Sequence, residues 1–216
     1  MNLIFDLDGT LVDSSVGLRD SLMKAVAEVL PDLDRADLVF VIGPRVRTIF
    51  QKALGEIDEQ KLGKLENAFR RLYDYDGWRQ TFLYPGAKET LEAFFHQGCP
   101  MFVVTNKPRL PTNRILTRLE LQPYFVEVVS PDSRTPRFET KTEAISYLLG
   151  KFGLGPEKTV YFGDTVEDYQ SAKTCGVSFI GLQFGYGTFP GMGKEIRVLQ
   201  SYQELLDDPD ILNRLP

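Results

Sequence analysis

Five short apolar runs limit what this chain can fold into: Leu3–Phe5, Met101–Val104, Val126–Val129, Thr159–Phe162 and Ser178–Gly181. Between the later runs lie stretches of helical periodicity. They are Gly86–Phe95, Asn113–Leu119, a segment carrying Ala144, Ile145, Leu148, Leu149 and Phe152 that stops at Gly153, and Val166–Cys175, which stops at Gly176. Short strands alternating with helices of this length predict βαβ units, and so an α/β fold with a parallel sheet flanked by helices. A length of 216 residues suits one such domain, or a core with a modest insert.

One interval breaks the alternation. Roughly ninety residues separate the first run from Met101, whereas a single crossover needs only a dozen or more. The excess is helical in pattern. Leu18, Leu22, Ala25, Val26 and Val29 trace one stripe; Val46, Ile49, Phe50 and Ala53 trace a second that ends at Gly55; Leu62, Leu65, Phe69 and Leu72 trace a third. The expected organisation is therefore a core from residues 1–13 and 81–216 with an all-helical domain, 14–80, inserted after the first strand.

Three runs end in polar residues: the first in Asp6 and Asp8, the second in Thr105 and Asn106, the fourth in Gly163 and Asp164. Ligands of an open parallel sheet bind beyond the carboxyl ends of its strands, so these residues should meet along one edge. Asp6 and Asp8 are two apart, and extended backbone would point both carboxylates to the same side. Unpaired carboxylates repel, and either one protonates or a cation sits between them. Asp164 and Asp168 add negative charge at the same edge, while Gly9 permits a sharp turn after the second acid. Hard oxygen ligands without His or Cys suit Mg²⁺. For a lone acid, helix capping is the simpler explanation, and Asp13 and Asp164 both precede helical patterns. Lys141 opens a helix, where a solvated lysine or a phosphate ligand would each be reasonable.

Composition narrows the chemistry. The single histidine, His96, ends a helix, which excludes His-rich metal centres and leaves carboxylates to do the work. Cys99 and Cys175 read as ordinary core thiols of a reducing compartment, too few for a zinc site. A net charge of −5 offers no basic face for nucleic acid. The first apolar run is interrupted by acids, unlike a signal peptide, and no run approaches the length of a membrane span. The expectation is a cytoplasmic protein without nucleic-acid or membrane partners, monomeric or homodimeric. Trp78 and its aromatic neighbours fit packing near the end of the insert.

The segments IFDLDGTLVDS, VVTN, the Lys141 helix and GDTVEDYQSAK together resemble the four motifs of the haloacid dehalogenase (HAD) superfamily. The insert is similar to the helical cap of its phosphoglycolate phosphatase-like branch. The resemblance implies a Rossmannoid core, a Mg²⁺-dependent phosphatase acting on a small phosphorylated metabolite, and an aspartyl-phosphate intermediate. It makes Asp6 the nucleophile and Asp8 the acid and base. Thr105 and Lys141 would bind the phosphoryl group, helped by backbone amides near Leu7, Gly9 and Asn106. Asp6, the Asp8 carbonyl, Asp164 and Asp168 would hold Mg²⁺. Arg45, in IGPRVRTIF, would read a second negative charge on the substrate or else open a helix in solvent. Lys107, in TNKP, competes with Lys141 for the motif lysine, and Lys141 is preferred because it starts a helix between the second and fourth motifs. The segment Gly185–Gly193 resembles a glycine turn of relatives without their acidic continuation, and its spacing is no dinucleotide fingerprint. A sugar phosphomutase of the β-phosphoglucomutase kind is the alternative on the same scaffold. A non-catalytic module is disfavoured because Asp6, Asp8, Thr105, Lys141 and Asp164 are all present.

Overall fold

The computed structural model describes residues 1–192 and 195–208. The chain opens with β1 (Asn2–Phe5) and the two-residue β2 (Val12–Asp13), then runs through α1 (Ser15–Val29), α2 (Val46–Leu54) and α3 (Glu59–Tyr75). After β3 (Phe82–Leu83) it alternates: α4 (Ala87–His96), β4 (Met101–Val104), α5 (Arg109–Arg118), β5 (Glu127–Val129), α6 (Lys141–Phe152), β6 (Thr159–Gly163), α7 (Val166–Thr174) and β7 (Ser178–Leu182). β8 (Arg197–Leu199) and α8 (Gln203–Asp207) follow.

Six strands form one parallel sheet in the order β5-β4-β1-β6-β7-β8. The chain builds outward from β1 through β4 to β5, then returns to the other side of β1 with β6. The order reverses between β1 and β6, and the crevice beyond their carboxyl ends is where such sheets bind ligands. Register places Phe5 beside Val103 and Phe162. Leu3, Ile4 and Phe5 are all fully buried, because helices cover both faces of a parallel sheet and no polar alternation is needed. On one face Ile4, Phe102, Tyr161 and Phe179 pack with Ala144, Ile145 and Leu148 of α6 and Tyr169 and Ala172 of α7. On the other, Phe5 stacks on Phe162 with ring centroids 4.7 Å apart, and Phe94 of α4 lies 6.3 Å from Phe162. Each fully buried side chain of this size contributes about 1.5–3 kcal/mol.

Two compact units result. One comprises Met1–Asp13 with the described residues from Leu83 onward, and the other is Ser14–Phe82. The insert unit packs α1 and α3 through Leu22, Ala25, Val26, Leu62, Leu65 and Phe69, all buried, with Ile49 and Phe50 supplied by α2. Among the described residues no helix is long and apolar enough to cross a membrane.

Several local expectations shift. β5 begins at Glu127, because Val126 is exposed and its N–H donates to Met101 O in the approach to the strand. α5 starts at Arg109, four residues before the periodic stretch, with Pro111 in its first turn, where a missing N–H costs nothing. Both cysteines are only partly buried rather than core thiols. Neither suspected acidic cap is one: Ser14 holds the cap position of α1, Thr165 caps α7, and Asp13 lies in β2.

Candidate active site

Asp6 leaves the carboxyl end of β1, its N–H donating to Phe162 O across the ladder to β6 at 2.9 Å. The side chain is buried. Its Oδ2 lies 3.0 Å from Lys141 Nζ, whereas its Oδ1 is buried without a hydrogen-bond partner. Asp164, after β6, and Asp168, in the first turn of α7, complete a group of three buried acids whose ligand atoms lie within 4.8 Å of one another. An acidic cluster alone would mean little. An orphaned carboxylate oxygen inside it is different, because buried polar atoms are nearly always satisfied, and a cation would satisfy this one. The donor set therefore fits a hard divalent metal.

Local sequence explains how each acid is aimed. Thr165 and Asp168 form a capping box at the start of α7: Asp168 N–H donates to Thr165 Oγ1 at 3.2 Å, while Asp168 Oδ2 accepts from Thr165 N at 3.1 Å and from its hydroxyl at 2.6 Å. Asp168 Oδ1 is engaged by Lys141 Nζ and by the Tyr161 hydroxyl at 3.2 Å, a proton that Tyr161 shares with Val104 O. With both oxygens committed, Asp168 acts on the cluster mainly by holding Lys141. That lysine is the first residue of α6, directly after the cap Thr140, and only 4% exposed, so the solvated reading does not apply.

Asp164 is walled in by glycines. Gly9 has φ +83°, and a Cβ built on it would meet Asp164 Oδ2 at 2.2 Å. A Cβ on Gly185 would meet Gly9 O at 2.2 Å, and one on Gly187 would meet Asp164 O at 2.3 Å. The intervening Tyr186 donates its N–H to Asp164 Oδ2 at 2.7 Å and its hydroxyl to Asp13 Oδ1 at 3.1 Å. Thr10 Oγ1 approaches Asp164 Oδ1 at 3.4 Å. The glycine turn thus closes around an acid of the cluster; of the Gly185–Gly193 segment, Gly193 lies outside the described residues.

Asp8 does not share the three-acid group. Its carboxylate pairs with Lys107, whose Nζ lies 3.0 and 3.1 Å from the two oxygens. Thr105 is buried, with its N–H on Val129 O and its hydroxyl accepting from Lys107 N–H at 3.1 Å. Leu7 is buried, its carbonyl accepting from Thr10, Leu11 and Val12 as the chain turns. Asn106 donates to Glu167 Oε1 at 3.2 Å at the surface. Arg45 caps α2 in the insert unit and is exposed. The residues that sequence reasoning missed are Tyr161, Thr165 and Tyr186. Thr165 was legible as half of a capping box; Tyr161 looked like any core aromatic in a strand.

Burial pushes the Asp6 carboxyl well above the usual range. Lys141 opposes this, and Asp168, Asp164 and Asp8 reinforce it. Asp164 is pushed up to about 7 by burial and then by Asp168. Burial alone would lower Lys141, but Asp168 and Asp6 outweigh it and hold its pKa well above the ordinary value. Three carboxylates around one ammonium leave an excess of negative charge, which protons offset until something better does.

Comparison with known proteins points to one family. The family model described as haloacid dehalogenase-like hydrolase matches residues 3–182. A phosphoglycolate phosphatase of Pasteurella multocida is 33% identical over 193 residues, covering 84% of this chain and 85% of its own. A 5'-nucleotidase of Pseudomonas aeruginosa is 30% identical over 188 residues, covering 87% and 84%. The crystal structure of a predicted phosphoglycolate phosphatase from Haemophilus somnus superposes with a TM-score of 0.80 at 29% identity, over 96% of this chain and 97% of that one.

Proposed function

We propose that this chain, which belongs to the haloacid dehalogenase-like hydrolases and is a phosphatase of that family, hydrolyses a small anionic phosphate monoester through an aspartyl-phosphate on Asp6. The observation that carries the reading is the unlike state of the two Asp6 oxygens: Oδ2 is held by Lys141, and Oδ1 is buried with nothing to bond. A carboxylate aimed and partly desolvated in this way is a competent nucleophile.

Asp6 attacks phosphorus and the bond from phosphorus to the ester oxygen breaks, Asp8 giving its proton to the departing oxygen. Water then attacks phosphorus, Asp8 takes the proton, and cleavage of the phosphorus bond to Asp6 releases phosphate and restores the carboxylate. Thr105 and Lys141, with backbone amides near Leu7, Gly9 and Asn106, hold the phosphoryl oxygens. Asp6, the Asp8 carbonyl and Asp164, with Asp168 in support, would hold Mg²⁺, which neutralises the charge that gathers on the transferring phosphoryl group.

For substrate, we place 2-phosphoglycolate first, after the names of the phosphatase relatives, with Arg45 reading the second charge. The Pseudomonas aeruginosa relative, named a 5'-nucleotidase, makes nucleoside monophosphates the second arm of a screen. No relative named here is a mutase, and nothing in the site favours return of the phosphoryl group to a sugar. The reading goes with a cytoplasmic setting and a monomer or homodimer. It is tested with purified protein on a panel of phosphate monoesters, with Mg²⁺ or EDTA, by phosphate release. Asp6→Asn is expected to lower turnover by about three orders of magnitude or more with the circular dichroism unchanged. Mass spectrometry of acid-quenched wild-type protein should find phosphate on Asp6. Turnover retained in Asp6→Asn would end the nucleophile assignment.

A further inference from the structure

The site holds two buried lysines, and the reaction as derived above uses only Lys141. Lys107 is the other. Its side chain is 5% exposed, yet Nζ lies almost equally far from both oxygens of Asp8, at 3.0 and 3.1 Å. Its backbone is fixed on both sides. The N–H donates to Thr105 Oγ1 at 3.1 Å, the carbonyl accepts from Thr112 Oγ1 at 3.4 Å, and Pro108 leads directly into α5. A lysine anchored this close to its own charge has little freedom left in its stem. Asp8, by contrast, is 21% exposed and sits just before the Gly9 turn, where an unheld side chain would sample several rotamers toward solvent.

We propose that Lys107 is a positioning residue for Asp8. It grips both oxygens of the ionised group and so fixes its plane; when Asp8 is protonated, one oxygen stays on Lys107 while the other carries the proton to the departing oxygen. The inference rests on the proposed role of Asp8 and adds the residue that aims it. Thr105 gains a second task, since its hydroxyl ties the backbone of Lys107 to the end of β4. Misplacing a proton donor by about 1 Å costs on the order of 100-fold, so the loss should be large wherever proton transfer matters.

Leaving groups make the test specific. In this scheme kcat/KM reports only the steps through departure of the leaving group, so hydrolysis of the phosphoenzyme does not enter it. A 2,4-dinitrophenolate departs without a proton, whereas an alkoxide needs one. Lys107→Met is expected to lower kcat/KM for an alkyl phosphate about 100-fold and to change it less than about threefold for 2,4-dinitrophenyl phosphate. Lys107→Arg should recover most of the alkyl phosphate loss. Asp8→Asn is the reference and should show the same selectivity for the alkyl substrate. An equal loss on both substrates with raised KM would make Lys107 a phosphate ligand and overturn the proposal, as would no loss on either. If Asp8→Asn shows selectivity and Lys107→Met does not, positioning fails while the role of Asp8 stands. If Asp8→Asn shows none, that role fails and takes the positioning with it. Should Lys107→Met misfold by circular dichroism, the same ratio measured on Lys107→Gln decides.

Discussion

Gly9 is where one atom matters most. Its φ of +83° disfavours any side chain, and the space a methyl would take is held by Asp164 Oδ2 at 2.2 Å. Gly9→Ala should cost about 1–2 kcal/mol from the backbone alone and should also displace Asp164. We expect a lower melting temperature together with lost Mg²⁺ binding by calorimetry; intact binding would show that Asp164 does not depend on this contact. At this scale the sequence was most readable for the acids, because Asp6, Asp8 and Asp164 terminate apolar strands. It was least readable for the lysines. Lys107 and Lys141 compete in sequence because choosing between them requires the direction of each Nζ. In the structure each finds its own acid, Asp8 and Asp6 respectively.

The first turn of α7 does two jobs. The capping box of Thr165 and Asp168 satisfies helix N–H groups and also turns the other oxygen of Asp168 toward Lys141. Thr165→Ala should therefore lose about 1 kcal/mol of cap, a fall of about 2–4 °C in melting temperature for a chain of this size. It should also weaken phosphate release at saturating substrate, since Asp168 Oδ2 would keep only the backbone N–H of residue 165 and lose the shorter bond from the hydroxyl. A drop in melting temperature with unchanged turnover would confine Thr165 to the helix. Strands and helices were legible wherever a long enough period ran into a Gly or a cap, as at Gly153. β8 was not, because its three residues, Arg197–Leu199, are too few to show any period. The Gly185–Gly187 turn was visible as a glycine cluster, but its purpose was not, since its contacts reach back to Gly9.

Across the whole molecule, the buried acids tie stability to pH. Asp164 titrates near 7 in the folded chain and Asp6 is raised well above its usual value, whereas an unfolded carboxylate titrates at about 4. Between about 4 and about 7 the folded state keeps protons that the unfolded state releases, so these groups make the metal-free protein less stable as pH rises through that window. Cation binding requires the deprotonated acids. The rise in melting temperature on exchanging EDTA for Mg²⁺ should accordingly be small at pH 5 and larger at pH 8, where the stabilisation behind it reaches about 2.7 kcal/mol when free Mg²⁺ is about 100 times its Kd. A shift that did not vary with pH would remove these carboxylates from the metal site. The sheet order has a last consequence, in time. β1 is flanked by β4 on one side and β6 on the other, and the acids that complete its site follow β6. At about 5–20 residues per second, a ribosome needs about 8–32 seconds to travel from Asp6 to Asp168. Throughout that interval the nascent chain carries Asp6, the proposed nucleophile, beside an open strand edge, without the acids at Asp164 and Asp168. If the proposed scheme holds, turnover cannot precede synthesis of these acids, and activity then reports that the chain has been made at least as far as α7.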